Sequence, residues 1–165
     1  MDIIEEFKEL VMIDSASGKE RTIADALTKK LRDLGFVVKE DRAGDTFGGD
    51  TGNLTAVREG TRPGAILFCS HMDRVAKGLS IHPQEKDGYL VSDGTTILAA
   101  DDVSGICAIL DGVRRAIASQ KNYPGWKSPS QWERKPVFGE DGPWTCPNSR
   151  APSAMCWTVP APWAG

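Results

Sequence analysis

His71 and Asp73 stand two residues apart in Ser70-His71-Met72-Asp73, directly after the apolar run Ala65-Ile66-Leu67-Phe68-Cys69. In an extended chain such positions face one side. The carboxylate can then accept a hydrogen bond from the imidazole and fix its tautomer, leaving the other ring nitrogen free for a metal ion. The plainer alternative is a histidine satisfied near a turn, with Asp73 capping backbone. Asp101 and Asp102 precede an apolar-periodic segment, so one of them suits the N-cap of a helix. The other, at the same positive helix end, suits a carboxylate that bridges two cations. His82, followed by Pro83, reads as an exposed loop residue. Cys69 in the apolar run and Cys107 on a helix face read as small core residues rather than nucleophiles. The sequence contains no G-x-S-x-G elbow and no glycine loop that would cradle phosphate before a helix.

These groups need elements to carry them. Ile3, Ile4, Phe7, Leu10 and Val11 predict a helix over 2–13. Ser17 and Glu20 have the spacing of a capping box, Ile23, Leu27, Leu31 and Leu34 form one stripe, and Gly35 sits where a C-terminal cap belongs. Strands are predicted over 36–39, 53–57 and 65–69, the last buried on both faces. Asp87-Gly88 and Asp93-Gly94 mark tight turns, Thr96-Ile97-Leu98 a short buried segment, and Val103 to Ser119 a helix with Ile106, Ile109, Leu110, Val113 and Ile117 on one face. Helices interleaved with buried strands predict an α/β sandwich with a mixed, largely parallel sheet. His71 and Asp73 then lie at the carboxyl end of a strand, where such sheets collect functional groups.

Composition narrows the classes. The chain has 165 residues, 26% of them charged, with a net charge of -3, which suits one soluble domain and disfavours a nucleic-acid reader. No stretch approaches the roughly 20 apolar residues of a membrane helix. The first 25 residues mix acids and bases without an apolar block, and the four cysteines lack C-x-x-C spacing. Both features favour a cytoplasmic protein with reduced thiols. The composition breaks near Pro124: all five tryptophans and eight of the ten prolines lie from there onward. The expected division is therefore 1–123 and a Trp/Pro-rich tail, 124–165.

The segments FKELVMIDSASGKE, LRDLGF, GGDTGNL, FCSHMDRV and SDGTTILAADDVSGICAIL occur in this order through about residue 123. Together they resemble the peptidase T branch of the dinuclear zinc exopeptidases, which includes acetylornithine deacetylase and succinyl-diaminopimelate desuccinylase. The resemblance implies the three-layer sandwich of that group, truncated here. It implies that His71 ligates one zinc and that Asp73 serves the catalytic apparatus by orienting that imidazole. Asp101 would bridge two zincs, with Asp102 as its helix-side neighbour. The implied cofactor is Zn2+, two per complete site, and the implied substrate is a short peptide, with no nucleic-acid or membrane partner. Relatives are often homodimers through a lid domain expected to be absent here. Two zincs about 3.5–4 Å apart lower the pKa of a shared water and polarise the scissile carbonyl while a glutamate takes the proton. Arg74 replaces the usual threonine, Ala99 a glycine and Val103 a lysine. Arg74 is expected to put a cation beside the metal pair and weaken it.

In that family the base lies in a Glu-Glu pair, and further ligands are its second glutamate, an aspartate in a Val-Leu-Asp segment and a distant histidine. All should follow residue 123. Joining the last nucleotide of each tail codon to the first two of the next makes Met155-Cys156-Trp157-Thr158 spell Val-Leu-Asp whatever synonymous codons are used. Trp126-Lys127 likewise forces Glu, Trp132-Glu133 forces Gly, and Glu133 to Val137 permits Glu-Glu-Ala-Gly. The tail from about Gly125 to Gly165 is therefore expected to be a frameshifted, irregular translation, and the chain an inactive fragment. Two rivals stand beside this. One is a zinc deacylase or carboxypeptidase of the same superfamily. The other is a non-catalytic module whose tail tryptophans and prolines bind a peptide or sugar.

Overall fold

The computed structural model describes residues 2–75, 77–119, 124–125 and 154–157. Helix α1 (Ile3–Val11) opens where the Asp2 carboxylate accepts from the Ile4 N–H at 2.7 Å. Helix α2 (Arg21–Asp33) begins just after Glu20, but the capping box is not made. Ser17 is exposed, and the buried Glu20 turns its carboxylate back to the Gly18 N–H at 2.6 Å. A distant residue takes over the cap: Asp50 accepts from the Arg21 N–H at 3.0 Å. The far end follows expectation. Gly35, at φ 81°, donates to the Arg32 carbonyl at 2.9 Å and Phe36 to that of Leu31 at 3.0 Å, the paired bonds of a Schellman motif.

Strands β1 (Val37–Glu40), β2 (Leu54–Val57), β3 (Arg62–Ala65) and β4 (Phe68–His71) follow. The hairpin of β5 (Gln84–Lys86) and β6 (Tyr89–Val91) comes next, turning through Asp87 and Gly88, both at positive φ. Helix α3 (Ala100–Ala118), β7 (Pro124–Gly125) and β8 (Ala154–Trp157) complete the described elements. One sheet has the order β1-β2-β8-β4, and β3 pairs with β7 in a separate ladder. The protein is thus α/β with a mixed sheet. The expectation of largely parallel pairing holds in the four-stranded sheet only for β2 with β8; β1–β2 and β4–β8 are antiparallel. The β1–β2 connection has no crossover helix, only a 3-10 turn at Ala43–Thr46, and such a connection returns the chain antiparallel.

The apolar run from Ala65 to Cys69 does not form one doubly buried strand. It is split between β3 and β4, and Ile66 and Leu67 between them are 44% and 47% exposed. Leu10, Leu27, Leu31, Leu54, Ile106 and Leu110 form the centre of the core, where α1 packs on α3, α2 on β1 and β2, and α3 on β4. A buried ion cluster ties the helices together. The Arg114 guanidinium clasps both oxygens of Glu6, and Lys30 lies 3.3 Å from the same carboxylate. Burial pushes the Glu6 pKa up, yet the hydrogen bonds and charges of Arg114 and Lys30 bring it below the ordinary value. Of the tail, only β7 and β8 are described; the expected irregularity and the shifted-frame segments otherwise lie outside the described residues. No helix among the described residues is long and apolar enough to cross a membrane.

Candidate metal centre

His71 is the last residue of β4, and Asp101 lies at the irregular start of α3. Ala99 is left-handed at φ 56°, while Asp101 (φ -90°, ψ 105°) and Asp102 (φ -118°, ψ 31°) are not helical and are joined by a cis peptide. Regular helical turns thus start at Val103, as predicted from the sequence. The corner carries Asp101 back over the end of β4, and its Oδ1 comes to 3.1 Å from His71 Nε2. The other ring nitrogen, Nδ1, is 3.2 Å from both the Asp73 carbonyl oxygen and Asp73 Oδ1. The carbonyl is the better-directed acceptor, while Oδ1 lies at the same distance and off the ideal direction. The three residues singled out from the sequence are therefore brought together.

The electrostatics favour charge at this spot. The Asp73 carboxylate first, and Asp101 after it, push the His71 pKa up to about 9 against the opposing effect of partial burial. A cation other than a proton would meet the same two carboxylates. Two ligands on one tetrahedral zinc, each about 2.1 Å from the ion, are about 3.4 Å apart; the observed 3.1 Å separation is close to that. Asp101 is 95% exposed at its side chain and open to a second ion, whereas Asp73 is largely buried behind the ring. Among the described residues no group of three or more His, Cys, Asp or Glu side chains is placed to hold a metal. His71 and Asp101 would supply one face of a metal centre, with Asp73 setting the ring tautomer through its carbonyl. A hollow of about 300 Å³ opens beside them, walled by Val75, Ile97 and Leu98.

Arg74 departs from expectation. Its guanidinium is buried and turned away into the end of α1, donating to the Leu10 carbonyl at 2.7 Å and to those of Val11 at 2.8 Å and Gly78 at 3.4 Å. Helix C-terminal carbonyls lack intrahelical donors and carry partial negative charge, which draws the cation there rather than toward His71 and Asp101. Burial lowers its pKa, opposed by Asp14. His82 is exposed, as expected. The Cys107 thiol is buried and its pKa is pushed up to about 12, which makes it unreactive. Cys69 takes part in a disulfide, against the expectation of a reduced core thiol.

Two residues were not singled out from the sequence. Ser70 donates from Oγ to Asp102 Oδ2 at 2.6 Å, and Gly105 lies directly under the Asp102 carboxylate. Strand alternation was the available signal: Ser70 and His71 face opposite sides of β4 and meet successive aspartates.

No protein-family profile matches the chain. It is 43% identical over 113 residues to the uncharacterized protein YqjE of Bacillus subtilis (strain 168), an alignment covering 68% of this chain and 30% of that protein. Among solved structures, the aminopeptidase PepT from Bacillus cereus ATCC 10987 superposes with a TM-score of 0.69 at 39% identity. A tripeptidase from Staphylococcus aureus subsp. aureus Mu50 does so with a TM-score of 0.69 at 37% identity. Each superposition covers 74% of this chain and 34% of the other. The chain spans about a third of the length of these relatives.

Proposed function

The chain is a peptidase T-like amino-terminal segment, and from that premise we propose that it is part of a zinc-dependent aminopeptidase acting on short peptides. The complete catalytic domain is, on this proposal, a three-layer sandwich with a largely parallel sheet, working in the cytoplasm without nucleic-acid or membrane partners. The single observation that carries the proposal is the 3.1 Å convergence of His71 Nε2 and Asp101 Oδ1 while Nδ1 is held by Asp73. His71 and Asp101 would hold Zn2+, with Asp101 shared between two ions. Bound there, the cations would supply an acidified water and a polarised peptide carbonyl. Asp73 fixes the ring so that Nε2 faces the Asp101 carboxylate, and Ile97 and Leu98 give one side of the hollow an apolar wall.

A catalytic zinc normally has three protein ligands and a water. With two in hand, this chain should bind zinc weakly and hydrolyse little; the general base and further ligands belong to the tail read in its shifted frame. Equilibrium dialysis of the chain and of His71→Ala against zinc tests the site: the substitution is expected to abolish most of the bound metal, and equal zinc in both would remove His71 from it. Sequencing the DNA across codons 125–165, restoring the shifted frame and assaying tripeptides against N-acyl amino acids tests the substrate class. A restored chain that cleaves only the acyl compounds would replace the aminopeptidase proposal by the deacylase one.

A further inference from the structure

We propose that Ser70 and Gly105 are positioning residues of the metal centre, acting through Asp102 to aim Asp101 at His71; this rests on the proposed zinc site. Apart from its 3.1 Å contact with His71 Nε2, the Asp101 side chain is 95% exposed, so little else packs around it. The backbone around it is neither strand nor helix, and the competing arrangement is plain. If residues 100–102 wound into the regular turns that start at Val103, Asp101 would be carried around the helix axis by about 100° per residue and away from the end of β4. Something must favour the corner over the helix.

Asp102 is the residue so held. Its Oδ2 accepts from Ser70 Oγ at 2.6 Å, and Ser70 is 5% exposed on the face of β4 that packs on α3. Gly105 supplies the room. A Cβ there would lie 2.2 Å from Asp102 Oδ1 and 2.7 Å from its Cγ, so any side chain would expel the carboxylate. Glycine weakens a helix interior, and Gly105 is not among the residues at positive φ, so no backbone conformation requires it. Space for Asp102 is the reason the geometry offers. Neighbouring positions of β4 thus divide the work: His71 is the ligand, and Ser70, pointing the other way, fastens the aspartate next to its partner ligand.

The test uses the full chain with Ser70→Ala, Ser70→Thr and Gly105→Ala, and His71→Ala and Ile106→Val as controls. Zinc affinity is measured by competition with a chromophoric chelator, amide hydrogen exchange at residues 101–104 without metal, and Tm alongside. Ser70→Ala and Gly105→Ala are expected to weaken zinc by about tenfold or more and to speed local exchange by a similar factor, with Ser70→Thr restoring both. Ile106→Val should lower Tm while leaving zinc within about twofold, because it trims the core without touching the corner. Gly105→Ala is the sharpest arm, since helix propensity alone predicts a gain in Tm and no change in zinc; that result would overturn the proposal. If His71→Ala leaves zinc unchanged, the metal site itself fails, and the metal-free exchange rates still decide whether Ser70 and Gly105 hold the corner. If zinc depends on His71 but not on Ser70 or Gly105, the positioning proposal alone falls.

Discussion

Replacing Arg74 by threonine, the residue usual at this place in the resembled family, separates two physical accounts of one cation. Were Arg74 beside the metal ligands, the change would strengthen zinc binding and leave stability alone. The structure places the guanidinium in the end of α1 instead, so the loss should appear in folding. Two well-aligned bonds from an ionised donor, at 2.7 Å and 2.8 Å, contribute about 1.5 kcal/mol each. The cation at a partly buried helix C-terminus adds about 1 kcal/mol. Relief of guanidinium desolvation, set against the cost of leaving those carbonyls without a donor, returns a net of about 1 kcal/mol. The net destabilisation of Arg74→Thr is therefore about 3 kcal/mol, a fall in Tm of about 10 °C for a domain of this size. Circular dichroism melts and urea unfolding would measure it, with zinc affinity followed in parallel and expected to stay within about twofold. Arg74→Lys should recover less than half, because an ammonium lacks the fork that reaches two carbonyls at once. An unchanged Tm with tighter zinc would refute the placement and the energetics built on it.

Glu40 carries a pH dependence that can be signed. Its hydrogen bond from Arg21 leads, partial burial opposes, and the Gly52 N–H and Thr51 hydroxyl help hold its pKa at about 2 against the ordinary 4.5. The folded value lies below the unfolded one, so this contribution is complete above about pH 4.5 and lost as pH falls toward 2. Because the pair is partly exposed, solvent screening leaves about 1 kcal/mol. Glu40→Gln should flatten the acid limb of a stability-against-pH curve, and an unchanged limb would count against it. Cys107, whose thiol burial raises to about 12, should resist a disulfide reagent at pH 8 in the folded chain and react once urea unfolds it; rapid labelling of the native protein would contradict that burial.

Periodicity and punctuation made much of the scaffold legible. The stripe Ile23, Leu27, Leu31 and the glycine after it located α2 and its Schellman end because those signals are local. The start of the same helix was misread, because its first N–H is satisfied by Asp50, a partner in a distant loop. Local spacing cannot disclose a cap supplied from elsewhere. The run from Ala65 to Cys69 misled for a related reason: apolarity marks burial without marking where a strand breaks, and here it breaks inside the run. In the site, H-x-D alternation put His71 and Asp73 on one side, but the meeting of His71 with Asp101 was implied by resemblance rather than by spacing. Arg74 was assigned by its neighbours in the chain; its long side chain reached past them to a stronger electrostatic partner.

One element connects both arms of the site. The C-terminal carbonyls of α1 hold Arg74, three residues beyond His71, while Glu6 of the same helix is clasped by Arg114 of α3, the helix whose first turn carries Asp101. His71 and Asp101 thus share α1 as a common support, while the strand that carries His71 is also paired with β8, His71 lying opposite Ala154. On the proposed zinc site, weak binding should then reflect the number of donors rather than poor placement of His71 and Asp101. Restoring the shifted frame rewrites β8 but leaves α1, Arg74 and Arg114 as they are. On the proposed zinc site it should therefore raise affinity by adding donors while the 3.1 Å approach of His71 to Asp101 stays nearly as it is, and a lengthened approach would show that β8 helps to set it.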